Sequence, residues 1–390
     1  RLADAETLYG QLIARMEPQE AQRRVYQMKI ADLLLQRGQP EAARAYYLQV
    51  AEAAPQDELS LQARFQAALA LGKTGPLDQA LDELSEVRFR APDSGFAERA
   101  LLEQANVLNR FFRLERALGV YDAYLDRYPQ GAFRLDAILD KGLTAYRMGL
   151  FDLALRQFDL VLRDFPEEPR AEQAFFLRGW ALYQQGHDED ALQVGRAFLE
   201  RFPGSPFLED VRFWLAEHAF HRGQSQEARE EFLGIAADAV SPVSAAKALY
   251  LAGRTALLQG DSEAAAEFFT RSVRKHPDAP FAAEALFYHG DALTLLNRFD
   301  EAIVVFEQVV ARFPGTSIAL LARGRIGDCH FTLREQDPSR LALALSAYRA
   351  VEESSGVPPE LRLQASYKIG TTLAEMGRQE EAPEQYMHVV

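Results

Sequence analysis

Small and apolar residues recur along this chain every 37 positions, a period far longer than that of one helix or one strand. The most regular member, termed the anchor here, is an alanine or glycine that returns nine times: Ala31, Ala68, Ala105, Gly142, Gly179, Ala216, Gly253, Gly290 and Gly327. A fixed period of about 20 to 50 residues is typical of a solenoid, whose units are too small to bury their own apolar faces and stack on their neighbours.

The first half of each unit has the pattern of a helix that ends in a tight turn. A second small residue lies five positions before most anchors, and two small residues on nearby faces let packed helices approach closely. Seven positions after the anchor comes a residue suited to positive φ. These turn residues are Gly38, Gly75, Gly149, Gly186, Gly223, Gly260 and Asn297, and the rule is broken by Phe112 and Arg334.

The second half of each unit has the pattern of another helix. It begins with an acidic residue that we expect to cap free N–H groups and to complement the helix dipole: Glu41, Asp78, Glu115, Asp152, Glu189, Glu263 and Asp300. An aromatic residue usually follows on the apolar face: Tyr47, Tyr121, Phe158, Phe232, Phe269 and Phe306. Gly195 stands at this position in the fifth unit, so we expect looser packing there or the entry of Phe198 from the next turn. A proline closes most units: Pro18, Pro55, Pro92, Pro129, Pro166, Pro203, Pro277 and Pro314.

The unit Gly142, Gly149, Ala154, Phe158, Pro166 resembles the tetratricopeptide repeat, whose usual period is about 34 residues. The resemblance implies an all-α, right-handed solenoid of antiparallel helix pairs over residues 1–390, and the three extra residues predict a first helix that is longer at its N-terminal end. We expect a partial unit at 1–17, regular repeats at 18–333, an insertion at 334–343 and truncated last units at 344–390. The insertion follows from the spacing of 43 between Gly327 and Gly370.

The junctions between units carry a narrower likeness. Segments such as Arg201-Phe-Pro-Gly-Ser-Pro-Phe207 and Lys275-His-Pro-Asp-Ala-Pro-Phe281 are similar to junctions of bacterial cell-envelope tetratricopeptide proteins, including the lipoprotein of the outer-membrane β-barrel assembly machine and the Tol-Pal-associated division coordinator. The likeness implies a periplasmic or outer-membrane-associated protein, with a cytoplasmic location as the alternative.

Composition narrows the classes of partner. The net charge of −14 argues against a nucleic-acid partner. No apolar run approaches the roughly 18 residues that a membrane helix needs. A first residue that is not Met, and a last residue inside a predicted helix, lead us to expect a fragment or a processed form.

Candidate catalytic and metal-binding residues are few. His218 and His221 lie one turn apart on a predicted helix, but two ligands are too few for a stable metal site. Cys329 and His330 are adjacent in sequence and point about 100° apart on a helix, which disfavours a nucleophile–base pair. We therefore expect no enzyme activity, no metal and no cofactor.

A stripe on the first helices, three positions before and four after the anchor, offers a candidate partner-binding surface. In the resembled family this face lines a concave groove that can hold an extended or helical peptide. Alternatively, the same rings fill the gaps between successive first helices and belong to the core. Leu143 and Trp180 lie between the stripe positions, and two arginines neighbour them. The candidate residues are Leu139, Leu143, Tyr146, Arg147, Phe176, Trp180, Tyr183, Phe213, Phe220, Tyr250 and Arg254.

These observations predict a non-catalytic scaffold that binds a peptide or helical segment of a protein partner, in bacterial envelope assembly or maintenance. One alternative is a substrate-positioning platform of a larger envelope enzyme, for example one acting on peptidoglycan. Another is self-assembly into a homo-oligomer through the ends of the solenoid, where uncapped helices are adhesive.

Overall fold

The computed structural model describes residues 2–16, 21–54 and 57–387, and the elements of this part are helical. The helices fall into two compact units, Arg1–Phe202 and Pro203–Val390, each described by itself. The first unit contains α1 (Leu2–Ile13), α2 (Ala21–Gln36), α3 (Pro40–Ala53), α4 (Glu58–Thr74), α5 (Leu77–Arg90), α6 (Gly95–Arg110), α7 (Leu114–Arg127), α8 (Arg134–Arg147), α9 (Phe151–Asp164), α10 (Pro169–Gln184) and α11 (Asp188–Arg201).

The second unit contains α12 (Leu208–His221), α13 (Ser225–Asp238), α14 (Pro242–Leu258), α15 (Ser262–Lys275), α16 (Ala282–Leu295), α17 (Phe299–Arg312), α18 (Ser317–Thr332), α19 (Arg340–Glu352), α20 (Pro359–Glu375) and α21 (Ala382–Met387). Within each unit every helix packs on the next, and first helices also pack on the following first helix, as α14 does on α16. The predicted all-α solenoid of helix pairs is confirmed. The single superhelix over 1–390 stays a prediction.

The core of each helix pair forms where the anchor meets the second helix. The aromatic residues predicted for the second helices are all wholly buried: Tyr47, Tyr121, Phe158, Phe232, Phe269 and Phe306. A Cβ placed on Gly290 would lie 2.5 Å from Cε1 of Phe306, and one on Gly253 would lie 2.7 Å from Cε1 of Phe269. The glycine therefore lets the ring pack directly against the helix backbone, as the small-residue period predicts.

The turn between the two helices needs positive φ in most units. Gly38, Gly149, Gly186, Gly223 and Gly260 have φ between 73° and 78°. Asn297 (φ 58°) adopts the same conformation. Phe112 (φ 55°) does so as well, although its Cβ makes this conformation sterically strained. Gly75 departs from the prediction, because it ends α4 with φ −87°.

The length of the first helix corrects one expectation. Three first helices, α8, α12 and α16, have only 14 residues. This is also the length of the second helices, which are the odd-numbered helices from α3 to α17. Before these three, the extra residues of the period form turns that end at the helix-capping positions Phe133, Phe207 and Phe281. The longer first helix is right for the others, such as α10 with 16 residues and α14 with 17.

The acidic residues at the start of the second helices lie in the first turn, where they complement the dipole. At the N-termini of α5, α7 and α9 the predicted side-chain cap is not found. Among the described second helices, a side-chain cap comes from the preceding residue in α15, where Asp261 accepts the N–H of Ala264 at 3.2 Å. The capping residue Asp261 lies two positions before the periodic acid Glu263, at a position where the other units do not repeat an acidic residue.

Two irregularities have local structural solutions. Phe198 is buried and packs its ring 6.2 Å from that of Phe176, so it enters the space left by Gly195. In the segment 334–343, a 3-10 turn (Leu333–Glu335) is followed by a link in which Asp337 accepts the N–H of Ser339 at 3.0 Å, and residues 340–343 already belong to α19. The prolines Pro18 and Pro55 lie outside the described residues.

Candidate partner-binding face

The candidate surface is the side of each stack formed by first helices, termed the first-helix face here. The predicted residues divide between the two units. Leu139, Leu143, Tyr146 and Arg147 lie on α8 and Phe176, Trp180 and Tyr183 on α10; in the second unit Phe213 and Phe220 lie on α12 and Tyr250 and Arg254 on α14.

Two predicted surface positions are corrected by the structure. Leu139 is wholly buried and Phe213 is buried, and each belongs to the apolar core of its own unit. Both stand three positions before an anchor, where the side chain turns between successive helices. At this register the core interpretation holds for these two residues, and they are unavailable to a partner.

A chain of aromatic rings crosses the first-helix face of the first unit. The rings of Phe176 and Trp180 meet edge to face with centroids 6.1 Å apart, and those of Trp180 and Tyr183 do the same at 6.1 Å. The chain begins on the core ring Phe198 and ends at Tyr183, whose surface is 39% exposed. It therefore connects the core to solvent and presents rings whose positions are fixed by packing.

The neighbouring helix α8 adds a second aromatic position and a base. Tyr146 packs edge to face on Phe151 at 5.5 Å, and burial raises the pKa of its phenol. Leu143 is partly buried beside it. Arg147 is exposed and donates a hydrogen bond to Oδ1 of Asn109 at 3.3 Å. A base is thus available at the margin of the aromatic surface.

In the second unit the face is organised around Arg254 on α14. The guanidinium carbon lies 5.0 Å from the ring centroid of Tyr288 on α16 and 5.8 Å from that of Phe220 on α12. Tyr250, one turn before, stacks on Phe281 at 5.6 Å and lies 6.3 Å from the ring of Tyr288. Three consecutive first helices therefore hold one arginine side chain between two rings.

Sequence reasoning missed Tyr288. It stands two positions before its anchor, outside the register of the predicted stripe. Its contact with Arg254 joins two successive repeats, through helices α16 and α14. The signal that could have found it is a base one position after the anchor Gly253, with aromatic residues 34 positions before and 34 positions after it on the neighbouring first helices.

The carboxylates on either side of Arg254 are paired with other bases. Glu217, one period before, lies 3.0 Å from Nζ of Lys247, and Asp291, one period after, lies 3.0 Å from Nε of Arg325. Burial raises the pKa of Asp291, and the Arg325 charge opposes that shift. In the part of the chain that the structure describes, no carboxylate lies within 4.0 Å of the Arg254 guanidinium.

Two exposed leucines extend this surface by one helical turn. Leu258, four positions after Arg254 on α14, is 65% exposed, and Leu295, one period later on α16, is 64% exposed. Residues four apart on a helix share a face. Arg254 and Leu258 therefore share a face of α14, and Leu295 holds the equivalent position on α16, which packs directly on α14.

Other chemistry is not assembled at this face. Within residues 2–16, 21–54 and 57–387 no three His, Cys, Asp or Glu side chains lie where they could share a metal ion. Cys329 is buried beside Thr294, and burial raises the pKa of its thiol, which disfavours the reactive thiolate. In the same described part, no helix combines the length and the apolar character needed to cross a bilayer.

Comparison with protein-family models gives the identity of the repeat. A model described as tetratricopeptide repeat matches residues 139–206, 215–280 and 250–316, and a second model of the same description matches residues 26–57. Together the matches span just over half of the chain. The chain belongs to the tetratricopeptide repeat family. This fold is one that supports protein–protein interaction, and its 37-residue period is a long variant of the family repeat.

Two solved structures are similar to the chain in fold, although the family membership follows from the sequence matches alone. A tetratricopeptide repeat protein from Parabacteroides merdae is similar at 16% identity over 69% of this chain and 99% of its own, with a TM-score of 0.43. The C-terminal part of a tetratricopeptide protein from Cytophaga hutchinsonii is similar at 13% identity over 73% and 98%, with a TM-score of 0.46. Neither likeness carries functional information. No curated protein matches the chain.

Proposed function

We propose that this tetratricopeptide protein is a non-catalytic scaffold that binds a peptide or helical segment of a partner in the groove lined by its first helices. The observation that carries the proposal is the ring chain Phe176–Trp180–Tyr183, which is anchored on the core and ends at the surface. Rigid aromatic side chains lose little conformational entropy on binding and supply large contact areas, which is why they are enriched at interaction hot spots.

The chemistry of the first unit favours an apolar or aromatic anchor on the partner. Leu143 and Tyr146 on α8 extend the aromatic surface of α10, and the exposed Arg147 at its margin can orient a polar group. Burial of one partner side chain such as Leu or Phe here contributes about 1.5 to 3 kcal/mol.

A site-specific photocrosslinker tests the proposal. We would place p-benzoylphenylalanine at Tyr183 and, as a matched control, at Phe89, an aromatic residue of the same unit that lies on a second helix and is 82% exposed. In cells that produce the protein, a defined adduct is expected from position 183 and none from position 89. Trp180→Ala should remove the adduct while circular dichroism shows unchanged helicity.

The outcomes separate the interpretations. An adduct at position 89 without one at 183 would move the binding surface to the second helices. Loss of helicity in Trp180→Ala would show that the indole is part of the core, and the exposed Tyr183→Ala variant would then carry the test.

The biological setting is a further part of the proposal. The junction segments, such as Arg201-Phe-Pro-Gly-Ser-Pro-Phe207, support a role in assembly or maintenance of a bacterial envelope and a periplasmic or outer-membrane-associated location. Fractionation of the producing cells tests the location, and recovery only with cytoplasmic markers would contradict it. Light scattering over a range of concentrations tests the homo-oligomer, which a constant monomer mass would exclude.

A further inference from the structure

Arg254 combines a fixed position with unused hydrogen-bonding capacity. Its contacts with Tyr288 and Phe220 hold the guanidinium at ring distances of 5.0 and 5.8 Å. The phenol of Tyr250 lies close enough for Arg254 to lower its pKa, against the larger raising effect of burial. One phenolic oxygen can accept only part of the five N–H groups of a guanidinium, so donors remain for another acceptor.

The surrounding charge makes this arrangement unusual for the chain. Acidic residues outnumber basic ones 57 to 43, so a partly buried arginine in this chain is expected to form an ion pair with a carboxylate. The two at its own register, Glu217 and Asp291, are occupied by Lys247 and Arg325 at 3.0 Å. Arg254 therefore presents a positive charge between two neutralised acids, in a setting whose aromatic walls reduce solvent screening.

The apolar neighbours define what accompanies the charge. Leu258 and Leu295 are exposed at equivalent positions of α14 and α16, four positions after Arg254 and Asp291 respectively, and these two helices pack on each other. A ligand that bound Arg254 alone would leave them in water, whereas a segment with an apolar side chain three or four residues from its acid would cover them. A purely ionic ligand such as a free phosphate uses only half of the surface.

We propose that the first-helix face of α12, α14 and α16 binds a protein segment that presents an Asp or Glu side chain to Arg254 and an apolar side chain to Leu258 and Leu295. This inference rests on the proposed scaffold function and names the chemistry of one partner class. The guanidinium donates to the carboxylate, the rings of Phe220 and Tyr288 fix its position, and the leucines set the spacing between acid and apolar residue.

The test uses the full chain and a library of random 12-residue peptides whose C-termini are joined to the carrier, so that only side-chain carboxylates are offered. Selected peptides should share an Asp or Glu with Leu, Ile or Phe three or four residues away. For a selected peptide, Arg254→Gln should weaken binding about 10- to 100-fold, the range for a charge-assisted pair. The control Arg271→Gln, which changes a base on α15 paired with Glu267 at 3.2 Å, should change affinity less than about twofold.

A double-mutant cycle supplies the specific readout. Replacing the peptide's acid by its amide should weaken binding to the wild type as much as Arg254→Gln does, and should have no further effect on the variant. If Arg254→Gln lowers the melting temperature, Leu258→Ser provides an independent variant, because its exposed side chain contributes little to the core and should still weaken binding.

Each result has a distinct meaning. Peptides that bind through Trp180 and Tyr183 but are insensitive to Arg254→Gln would overturn this inference and leave the scaffold function standing. Selected peptides without a shared acid would also overturn it. A library that yields no binder would count against the inference and the proposed function together.

Discussion

Replacing the anchor Gly290 with alanine should destabilise the eighth helix pair. The added Cβ would lie 2.5 Å from Cε1 and 2.6 Å from Cζ of Phe306, far inside the 3.5 to 4.0 Å of a favourable carbon contact. Phe306 is wholly buried and packs on Phe287 at 5.6 Å, so its ring has little room to retreat. Overpacking costs about 1 to 3 kcal/mol, and the better helix propensity of alanine offsets about 1. The net loss should be as much as about 2 kcal/mol.

The same substitution at the equivalent position of the fifth unit provides a matched control. A Cβ on Gly179 would meet Cγ1 of Val194 at 3.4 Å, an ordinary van der Waals contact, and the atoms within 4 Å of it belong to Val194 rather than to an aromatic ring. Gly179→Ala should therefore gain only the helix-propensity term and stabilise α10 by about 1 kcal/mol. The same glycine-to-alanine substitution is therefore expected to lower stability in the eighth repeat and to raise it in the fifth.

Local hydrogen exchange is the appropriate assay, since solenoid units are coupled mainly to their neighbours and global unfolding need not be two-state. Protection should fall in peptides covering residues 282–312 for Gly290→Ala and rise in those covering 169–201 for Gly179→Ala. The double change Gly290→Ala/Phe306→Leu imitates the natural pair Ala68 and Leu84 and should recover part of the loss. Equal protection of both alanine variants would refute the argument that these glycines set the helix spacing.

Three further predictions concern single residues. Phe112→Gly should stabilise the protein by about 1 to 2 kcal/mol in thermal unfolding, because Phe112 is strained at φ 55° and 80% exposed, whereas Phe112→Ala should bring no gain. Asp57→Asn should cost about 1 kcal/mol at pH 7, because Asp57 caps α4 and binds Arg24 at 2.5 Å. These bonds hold the pKa of Asp57 below its usual range, so this stabilisation is present above about pH 5 and lost as pH falls further; urea unfolding from pH 7 to 3 should show the variant's deficit shrink, and a constant deficit would contradict the assignment. Phe158→Tyr should cost about 1 to 3 kcal/mol by burying a hydroxyl in the cluster on which Leu143 packs, and adding Leu143→Asn should restore stability; a neutral Phe158→Tyr would contradict this.

The periodic part of the fold was predictable because it depends on residue size and backbone conformation. The anchors tolerate little besides Ala and Gly where a ring packs on the helix, and a positive φ selects Gly or Asn. Both constraints leave direct marks in the sequence. The first-helix lengths were predicted less well, because the extra residues of the period fit equally as a helical turn or as the turns before Phe133, Phe207 and Phe281.

The candidate site was only half predictable. The stripe register includes Tyr183, and the predicted neighbours of the stripe include Trp180 and Arg254, but the register also includes Leu139 and Phe213, which the structure buries. The position of a residue along one helix does not determine how far the neighbouring helices bury its side chain. Ion pairing was equally inaccessible, because the pairing of Glu217 with Lys247 and of Asp291 with Arg325, rather than with Arg254, depends on side-chain geometry across helices.

The position directly after the anchor explains how a uniform repeat acquires a specialised surface. Where the second helix carries a buried tyrosine, this residue accepts a hydrogen bond from its hydroxyl, as Asp32 does from Tyr47 at 2.6 Å, Asn106 from Tyr121 at 2.9 Å and Asp328 from Tyr348 at 2.8 Å. Where the second helix carries phenylalanine or glycine instead, no hydroxyl needs an acceptor, and the position is released from this role. Trp180 and Arg254 occupy such released positions. Exchanging a core tyrosine for phenylalanine therefore frees a first-helix residue, and the partner-binding chemistry proposed for this chain lies where that freedom exists.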